Sequence, residues 1–159
     1  MAIEVGSKVP DVTVKVMRDG KPEAVQTSEV LGSGKVVLFA VPGAFTPGCS
    51  KIHLPGYIEH AAELKAKGVD TIACVSINDA WGMDAWGAAH GVGDDILMLA
   101  DGNGEFTAAM GLEADMSGAG LGTRSKRYAA VIEDGTISEL EVESAPGVDV
   151  SSCESILNK

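Results

Sequence analysis

Residues 41–50, Val-Pro-Gly-Ala-Phe-Thr-Pro-Gly-Cys-Ser, end an apolar run and set one cysteine behind two Pro–Gly pairs. Proline favours the first turn of a helix, where its missing N–H has no intrahelical partner to lose. Thr46, just before Pro47, is therefore a natural N-cap, and Cys49 falls in the first helical turn. Unpaired backbone N–H groups and the positive end of the helix dipole both favour an anion there. The thiolate, not the thiol, is the nucleophilic form of cysteine, so the stretch reads as an anion site holding a reactive sulfur. The competing reading is a small buried hydrophobe that happens to begin a helix.

Ionisation alone makes a poor catalyst. A thiol with a pKa near 8.5 is roughly 3% thiolate at pH 7, and lowering that pKa to about 6 gives roughly 90%. Nucleophilicity falls with pKa on a Brønsted slope near 0.45, which offsets about 13-fold of that roughly 30-fold gain. A net factor of about two remains, so rapid chemistry needs fixed donors aimed at the charge that develops in the transition state. The Thr46 hydroxyl and the N–H groups of Gly48 and Cys49 are the nearest candidates.

The other chemistry-bearing residues are sparse. Cys74 and Cys153 complete a set of three cysteines, far apart and without a C-x-x-C pair, which do not read as a secreted disulfide framework or a zinc site. Cys74, in Ile-Ala-Cys-Val-Ser, reads as a buried inert thiol. His53 lies four residues after Cys49 on the same helix face and reads as a packing or surface residue. Trp81 and Trp86 read as structural. Residues 31–37 resemble a phosphate loop, but Glu29 and Val36 stand where a glycine and a Ser/Thr are required. Residues 101–105 begin like a calcium loop, and Phe106 replaces its glycine. No metal or other cofactor is expected. The formal net charge is −11, from 12 basic and 23 acidic residues spread along the chain, which argues against binding nucleic acid or anionic lipid. The N-terminal residues carry no secretory pattern and no apolar run reaches membrane-spanning length, so a cytoplasmic protein is expected.

The elements that would position Cys49 follow from periodicity. Residues 12–26 alternate around Arg-Asp-Gly as a hairpin. Residues 35–41, 69–77 and 95–101 read as buried strands. A helix is expected from Pro47 to Lys67, kinked at Pro55 and stopped by Gly68. A second is capped by Asn78 or Asp79 and ended by Gly91. A short one spans 104–112. Residues 127–143 form two strands around Asp134-Gly135, and Ser151-x-x-Glu154 is a capping box for a last short helix. Residues 117–122 read as a flexible glycine loop. Strands alternating with helices imply one α/β domain over residues 1–159, a mixed central sheet with helices on both faces. This is the plan of a thioredoxin-like fold with an added N-terminal hairpin.

Pro42-x-x-x-Thr46-x-x-Cys49 resembles the PxxxTxxC active-site motif of the peroxiredoxins. "VPGAFTPGCSKIHLPGY", "ACVSINDAW", "WGAAHG", "LADGNGEF" and "GLGTRSKRYA" are similar to the type 5 (type II) subfamily from about residue 36 onward. The resemblance implies a thiol peroxidase reducing hydrogen peroxide and alkyl hydroperoxides, with Cys49 as peroxidatic cysteine passing through a sulfenic acid. Thr46 would orient thiolate and peroxide, and Pro42 would shield the thiolate. An active-site arginine is also implied, Arg127 before the strand at 128, with Arg124 its rival. Cys153 stands near the resolving position of atypical two-cysteine members. "GLGTRSKR" is closer to glutaredoxin-linked members, and some plant-type members resolve through the Cys74 position. The implied reductant is glutathione with glutaredoxin, or thioredoxin. A homodimer is implied too, with Phe45 a contact residue. Two alternatives use the same thiol: a redox-sensing or holdase-like binding protein, which would consume peroxide only stoichiometrically, and a disulfide oxidoreductase, which Ile52 disfavours by standing where a second cysteine belongs.

Overall fold

Val36–Ala40 offer no polar side chain to either face, and they form the centre of a sheet. The structure, a computed structural model, describes residues 2–159. Strand β3 (Lys35–Ala40) pairs in parallel with β4 (Thr71–Ser76), which pairs in parallel with β5 (Leu97–Ala100). On the other side β3 pairs antiparallel with β8 (Tyr128–Glu133), and β9 (Thr136–Val142) forms that edge. The hairpin of β1 (Thr13–Arg18) and β2 (Lys21–Gln26) adds to β5, giving a seven-stranded mixed sheet in the order β2-β1-β5-β4-β3-β8-β9. Both edge hairpins turn on Asp-Gly: Asp19 and Gly20 have φ of 51° and 75°, Asp134 and Gly135 47° and 84°. Two successive positive φ values are what a two-residue turn matched to strand twist requires, and Asp-Gly meets them at low steric cost.

Side-chain alternation along β3 divides the interior into two layers. Val37, Phe39 and, just beyond the strand, Val41 face one way with Ile72 and Cys74 of β4. Over them pack α2 (Leu54–Glu59), α3 (Ala61–Ala66), α4 (Ala80–His90) and α6 (Cys153–Leu157). Val36, Leu38, Ala40, Ala73 and Val75 face the other way, against Phe106 and Met110 of α5 (Glu105–Met110). The helix α1 (Thr27–Val30) is a single turn after β2, its Thr27 hydroxyl buried against the Pro10 carbonyl at 2.5 Å. Among the described residues no helix is long and apolar enough to cross a membrane.

Several expectations are corrected. The helix from Pro47 to Lys67 is interrupted: residues 47–48 are α-helical, Cys49–His53 are wound as a π-helix, α2 ends at Glu59, and α3 starts after His60. Pro55 has no N–H to contribute, and the Leu54 N–H reaches back five residues to the Cys49 carbonyl. A wide turn ahead of Pro55 therefore stands where a kink was expected. The last helix is capped by Ser152, whose hydroxyl accepts from the Ser155 N–H at 3.1 Å, because Ser151 is held elsewhere. Residues 117–122, expected as a flexible glycine loop, include a 3₁₀ turn at Ser117–Ala119 and connect the two strands of a small separate ladder, β6 (Glu113–Asp115) and β7 (Thr123–Ser125). At the second helix the cap is Asp79, accepting from Gly82 N–H at 2.6 Å, and Gly91 closes it with φ 68°. Asn78 instead ties the end of β4 to the loop after β3, accepting from Ala44 N–H at 3.0 Å and the Ser76 hydroxyl at 2.6 Å.

Asp101, at the end of β5, turns its carboxylate onto the first turn of α5. It accepts from Phe106 N–H at 3.0 Å, Thr107 N–H at 2.8 Å and the Thr107 hydroxyl at 2.8 Å, and the residue is 2% exposed. Removing it strands three buried donors, at about 1–3 kcal/mol for such charge-assisted bonds. Asp101→Ala is expected to lower the urea midpoint by an amount equivalent to at least about 2 kcal/mol, with Asp101→Asn losing less.

Candidate active site

The loop after β3 delivers Cys49 to the carboxyl end of the parallel strands. Thr46 and Cys49 lie on either side of the helix start, and their side chains meet: Thr46 Oγ1 is 2.9 Å from Cys49 Sγ and 2.7 Å from the Gly43 carbonyl. The hydroxyl has one proton. It can donate to the carbonyl and turn a lone pair to a thiol, or donate to the sulfur once that is a thiolate. Cys49 itself has no exposed surface.

Arg127, the residue before β8, reaches the same sulfur. The antiparallel pairing of Ala40 with Tyr128 puts the start of β8 beside the end of β3. From there the guanidinium sends Nη2 to within 3.3 Å of Cys49 Sγ. Gly48 leaves the space: a Cβ there would lie 3.1 Å from Arg127 Nη2. Arg124 takes another place. Its Nη1 donates to the Ile77 carbonyl at 3.0 Å and the Pro42 carbonyl at 3.4 Å, and its Nε to the Leu121 carbonyl at 2.9 Å. Arg124 therefore braces the loop bearing Pro42 and Gly43, while Arg127 faces the sulfur. Pro42 and Arg127 also line a cavity of about 520 Å³ with Ala114, Met116, Ala145 and Pro146.

His53 is more than the packing or surface residue expected of it. It is 1% exposed, its ring 5.0 Å from that of Phe39 and 5.6 Å from that of Tyr57. Arg127 Nη1 donates to His53 Nδ1 at 3.0 Å, and an arginine has no acceptor to offer in return. His53 must then be neutral with its proton on Nε2, which donates to the Ser151 carbonyl at 3.0 Å. The Tyr57 hydroxyl donates to the same carbonyl at 2.8 Å, and its ring stacks on Phe39 with centroids 4.0 Å apart. Burial lowers the His53 pKa to about 4; the Ser151 carbonyl opposes that and Arg127 adds to it. The i, i+4 spacing to Cys49 was the one sequence signal for His53. Tyr57 and Ser151 carried no signal for this role.

The other cysteines share the layer of Cys49 but not its setting. All three are free and buried. Cys74 lies across from Phe39 and Met98 in the ladder, and burial, then the nearby Cys49, pushes its thiol well above the usual range. Burial, with Glu63 and Glu154 adding to it, pushes Cys153 up to about 12. Trp86, fully buried, donates from Nε1 to the Ser50 hydroxyl at 2.9 Å, next to Cys49. Trp81 is 63% exposed.

A mixed sheet flanked by helices, with a reactive-cysteine turn between the first parallel strand and its helix, defines a thioredoxin-like thiol protein. Residues 4–157 match the redoxin family. The chain is 51% identical over 160 residues to a chloroplastic peroxiredoxin-2E-2 of Oryza sativa subsp. japonica, covering 98% of this chain and 71% of that protein. It is 46% identical over 158 residues to peroxiredoxin-2B of Arabidopsis thaliana, covering 98% and 96%. The crystal structure of reduced Prx3 in complex with hydrogen peroxide from Vibrio vulnificus superposes with a TM-score of 0.93 at 49% identity, over 98% of both chains. The chain belongs to the peroxiredoxin family, the thiol-dependent peroxidases of the redoxin group.

The depressed His53 pKa has a sign that can be measured. Between pH 6.5 and about 4 the unfolded chain holds a proton on this residue that the folded protein refuses. Its contribution to stability is complete above pH 6.5 and is lost as pH falls through that window. The size is about 3 kcal/mol at most. Urea unfolding of the wild type and His53→Gln across pH 4–7 is expected to show the acid-side loss reduced by roughly that amount in the variant.

Proposed function

We propose that Cys49 is the peroxidatic cysteine, with Thr46 and Arg127 the groups that act on its substrate. The observation that carries this reading is the convergence of Thr46 Oγ1 and Arg127 Nη2 on one buried sulfur, at 2.9 and 3.3 Å. The Cys49 thiolate attacks one oxygen of the hydroperoxide. An S–O bond forms, the O–O bond breaks, and the departing oxygen leaves as hydroxide or alkoxide and takes a proton from solvent. The sulfur is oxidised to a sulfenic acid, the reversible rung of thiol oxidation, and the peroxide is reduced to water or alcohol. Negative charge moves from sulfur to the leaving oxygen. A guanidinium and a hydroxyl already fixed at the sulfur stabilise that shift without reorganising. Gly48 and Cys49 N–H groups at the helix start add to the field. The adjoining cavity, with Pro42, Ala114, Met116 and Pro146 beside Arg127, offers room for the alkyl group of a small hydroperoxide as well as for hydrogen peroxide itself.

Reduction of the sulfenic acid takes two thiols. We favour resolution by Cys153 over Cys74, with thioredoxin, or glutathione and glutaredoxin, as final reductant. Cys153 starts a five-residue helix that can open locally, whereas Cys74 is fixed in the centre of the sheet. A homodimer is supported by large apolar side chains left uncovered, Phe45 at 58% and Ile52 at 56% exposure on either side of Cys49 in the sequence, with Trp81 at 63%. Phe45 also holds a φ of 65°, a strained value for a bulky residue, which turns its ring outward. A cytoplasmic setting fits the sparse, unpaired cysteines.

Reduced protein treated with one equivalent of hydrogen peroxide and mapped by peptide mass tests this scheme. Oxidation is expected at Cys49 first and a Cys49–Cys153 disulfide next. A Cys49–Cys74 link, or a lone oxidised Cys49 that glutathione caps, would replace the resolving step. Cys49→Ser is expected to lose turnover with its fold intact, and Arg127→Ala to lose about 10²–10³-fold in kcat/KM. Turnover by Cys49→Ser would overturn the assignment of this cysteine.

A further inference from the structure

The support of Arg127 does not end at His53. The Ser151 carbonyl, which receives both the His53 and Tyr57 protons, belongs to a loop with no strand or helix to hold it. What holds it is Glu143, the residue after β9. Its Oε2 accepts from Asp149 N–H at 2.7 Å, Ser151 N–H at 2.9 Å and the Ser151 hydroxyl at 2.6 Å. Burial works against this carboxylate, but the Ser151 hydroxyl and the N–H groups of Asp149, Ser151 and Val150 outweigh it and lower its pKa. The Glu143 backbone is tied to the active site as well, its N–H donating to the Arg127 carbonyl at 3.0 Å.

We propose that Glu143 is a positioning residue for the peroxide reaction, acting through Ser151 and His53 on the Arg127 guanidinium. Each link is directional. The carboxylate can only accept, so it fixes the Ser151 N–H and hydroxyl and with them the aim of the carbonyl. The carbonyl can only accept, so His53 keeps its proton on Nε2. Nδ1 is then bound to offer its lone pair to Arg127, which leaves Nη2 for the sulfur. With the loop released, Nε2–H loses its acceptor and only Arg127 still favours that tautomer, so the Nδ1–H form gains population. In the Nδ1–H form the ring turns a donor toward a cation, and the guanidinium loses the acceptor that orients it. This inference rests on Cys49 being the peroxidatic cysteine.

The test is the second-order rate of Cys49 sulfenic acid formation, followed with a sulfenate-trapping diketone, in wild type, Glu143→Ala, Glu143→Gln, His53→Ala and the double variant Glu143→Ala/His53→Ala. Glu143→Ala is expected to lose about tenfold, as small misplacements of a reacting group do. Glu143→Gln keeps an oxygen at the same place and should recover most of the rate. In the His53→Ala background, Glu143→Ala should have no further effect. Imidazole ¹⁵N shifts should report Nε2–H in the wild type and a mixture of tautomers in Glu143→Ala. An unchanged Glu143→Ala rate, two losses that multiply, or an unchanged tautomer would each overturn the proposal. Should Glu143→Ala fail to fold, Glu143→Asp, one methylene short of Ser151, gives the same readouts. A wild-type Cys49 that peroxide leaves as neither trapped sulfenic acid nor disulfide would instead overturn the peroxidatic reading.

Discussion

A sulfur with no exposed surface has no water to solvate the charge it needs in order to attack as a thiolate, and the groups around Cys49 answer that constraint. Burial penalises an isolated anion heavily, so the charge must be met by groups already in place. Arg127 meets it from β8 and Thr46 from the loop, and Gly48 is the residue that lets the guanidinium approach. Arg127 is itself a partly buried cation needing an acceptor as well as an anion, and His53 Nδ1 supplies it. The site is thus a short chain of mutually dependent groups rather than a sulfur with ornaments. Taking out one member leaves the next unpaired, which is why a single substitution here costs more than the contact it removes.

The π-wound segment Cys49–His53 carries two members of this chain. A wider turn changes which side chains share a face, and here both Cys49 and His53 meet the same guanidinium. Pro55 supports that winding by withholding an N–H from the ladder. Trp86 meets the segment from outside through the Ser50 hydroxyl, so α4 and the core of that layer hold the turn as well. The packing of one side of the sheet is in this sense continuous with the placement of the sulfur.

Much of this was legible in the sequence where the signal is local. The Thr-Pro-Gly-Cys turn, both Asp-Gly hairpins, the buried strands and the Gly91 stop all follow from backbone preferences of a few adjacent residues. What was not legible depends on contacts across the chain. His53 owes its importance to Arg127, 74 residues later. Glu143 and Ser151 matter because the β8–β9 register carries Glu143 back beside Arg127, and no periodicity announces that. Ser151 was misread as a helix cap for the same reason. The local pattern Ser-x-x-Glu was present, but a distant carboxylate claimed the serine and left Ser152 to cap. The choice between Arg124 and Arg127 likewise needed the antiparallel pairing of β3 with β8, which points one arginine at the sulfur and the other at the carbonyls of Pro42 and Ile77.

The same connectivity constrains the second half of the catalytic cycle. The carbonyl that orders His53 lies two residues before Cys153, on the segment that leads into α6. Cys153 is buried and its thiol is held in the protonated form, so it can attack only after that segment opens. Opening withdraws the Ser151 carbonyl from His53 and Tyr57 and removes the support of Arg127. A cycle resolved by Cys153 therefore alternates between a docked state built to attack peroxide and an open state in which the arginine is unsupported, and it regains the first only on reduction and redocking. A cycle resolved by an external thiol makes no use of Cys153, but it too must uncover the buried Cys49 sulfur. Whether Cys153 takes part and how long the arginine stays organised are then linked, because both depend on the docking of the segment that Glu143 holds.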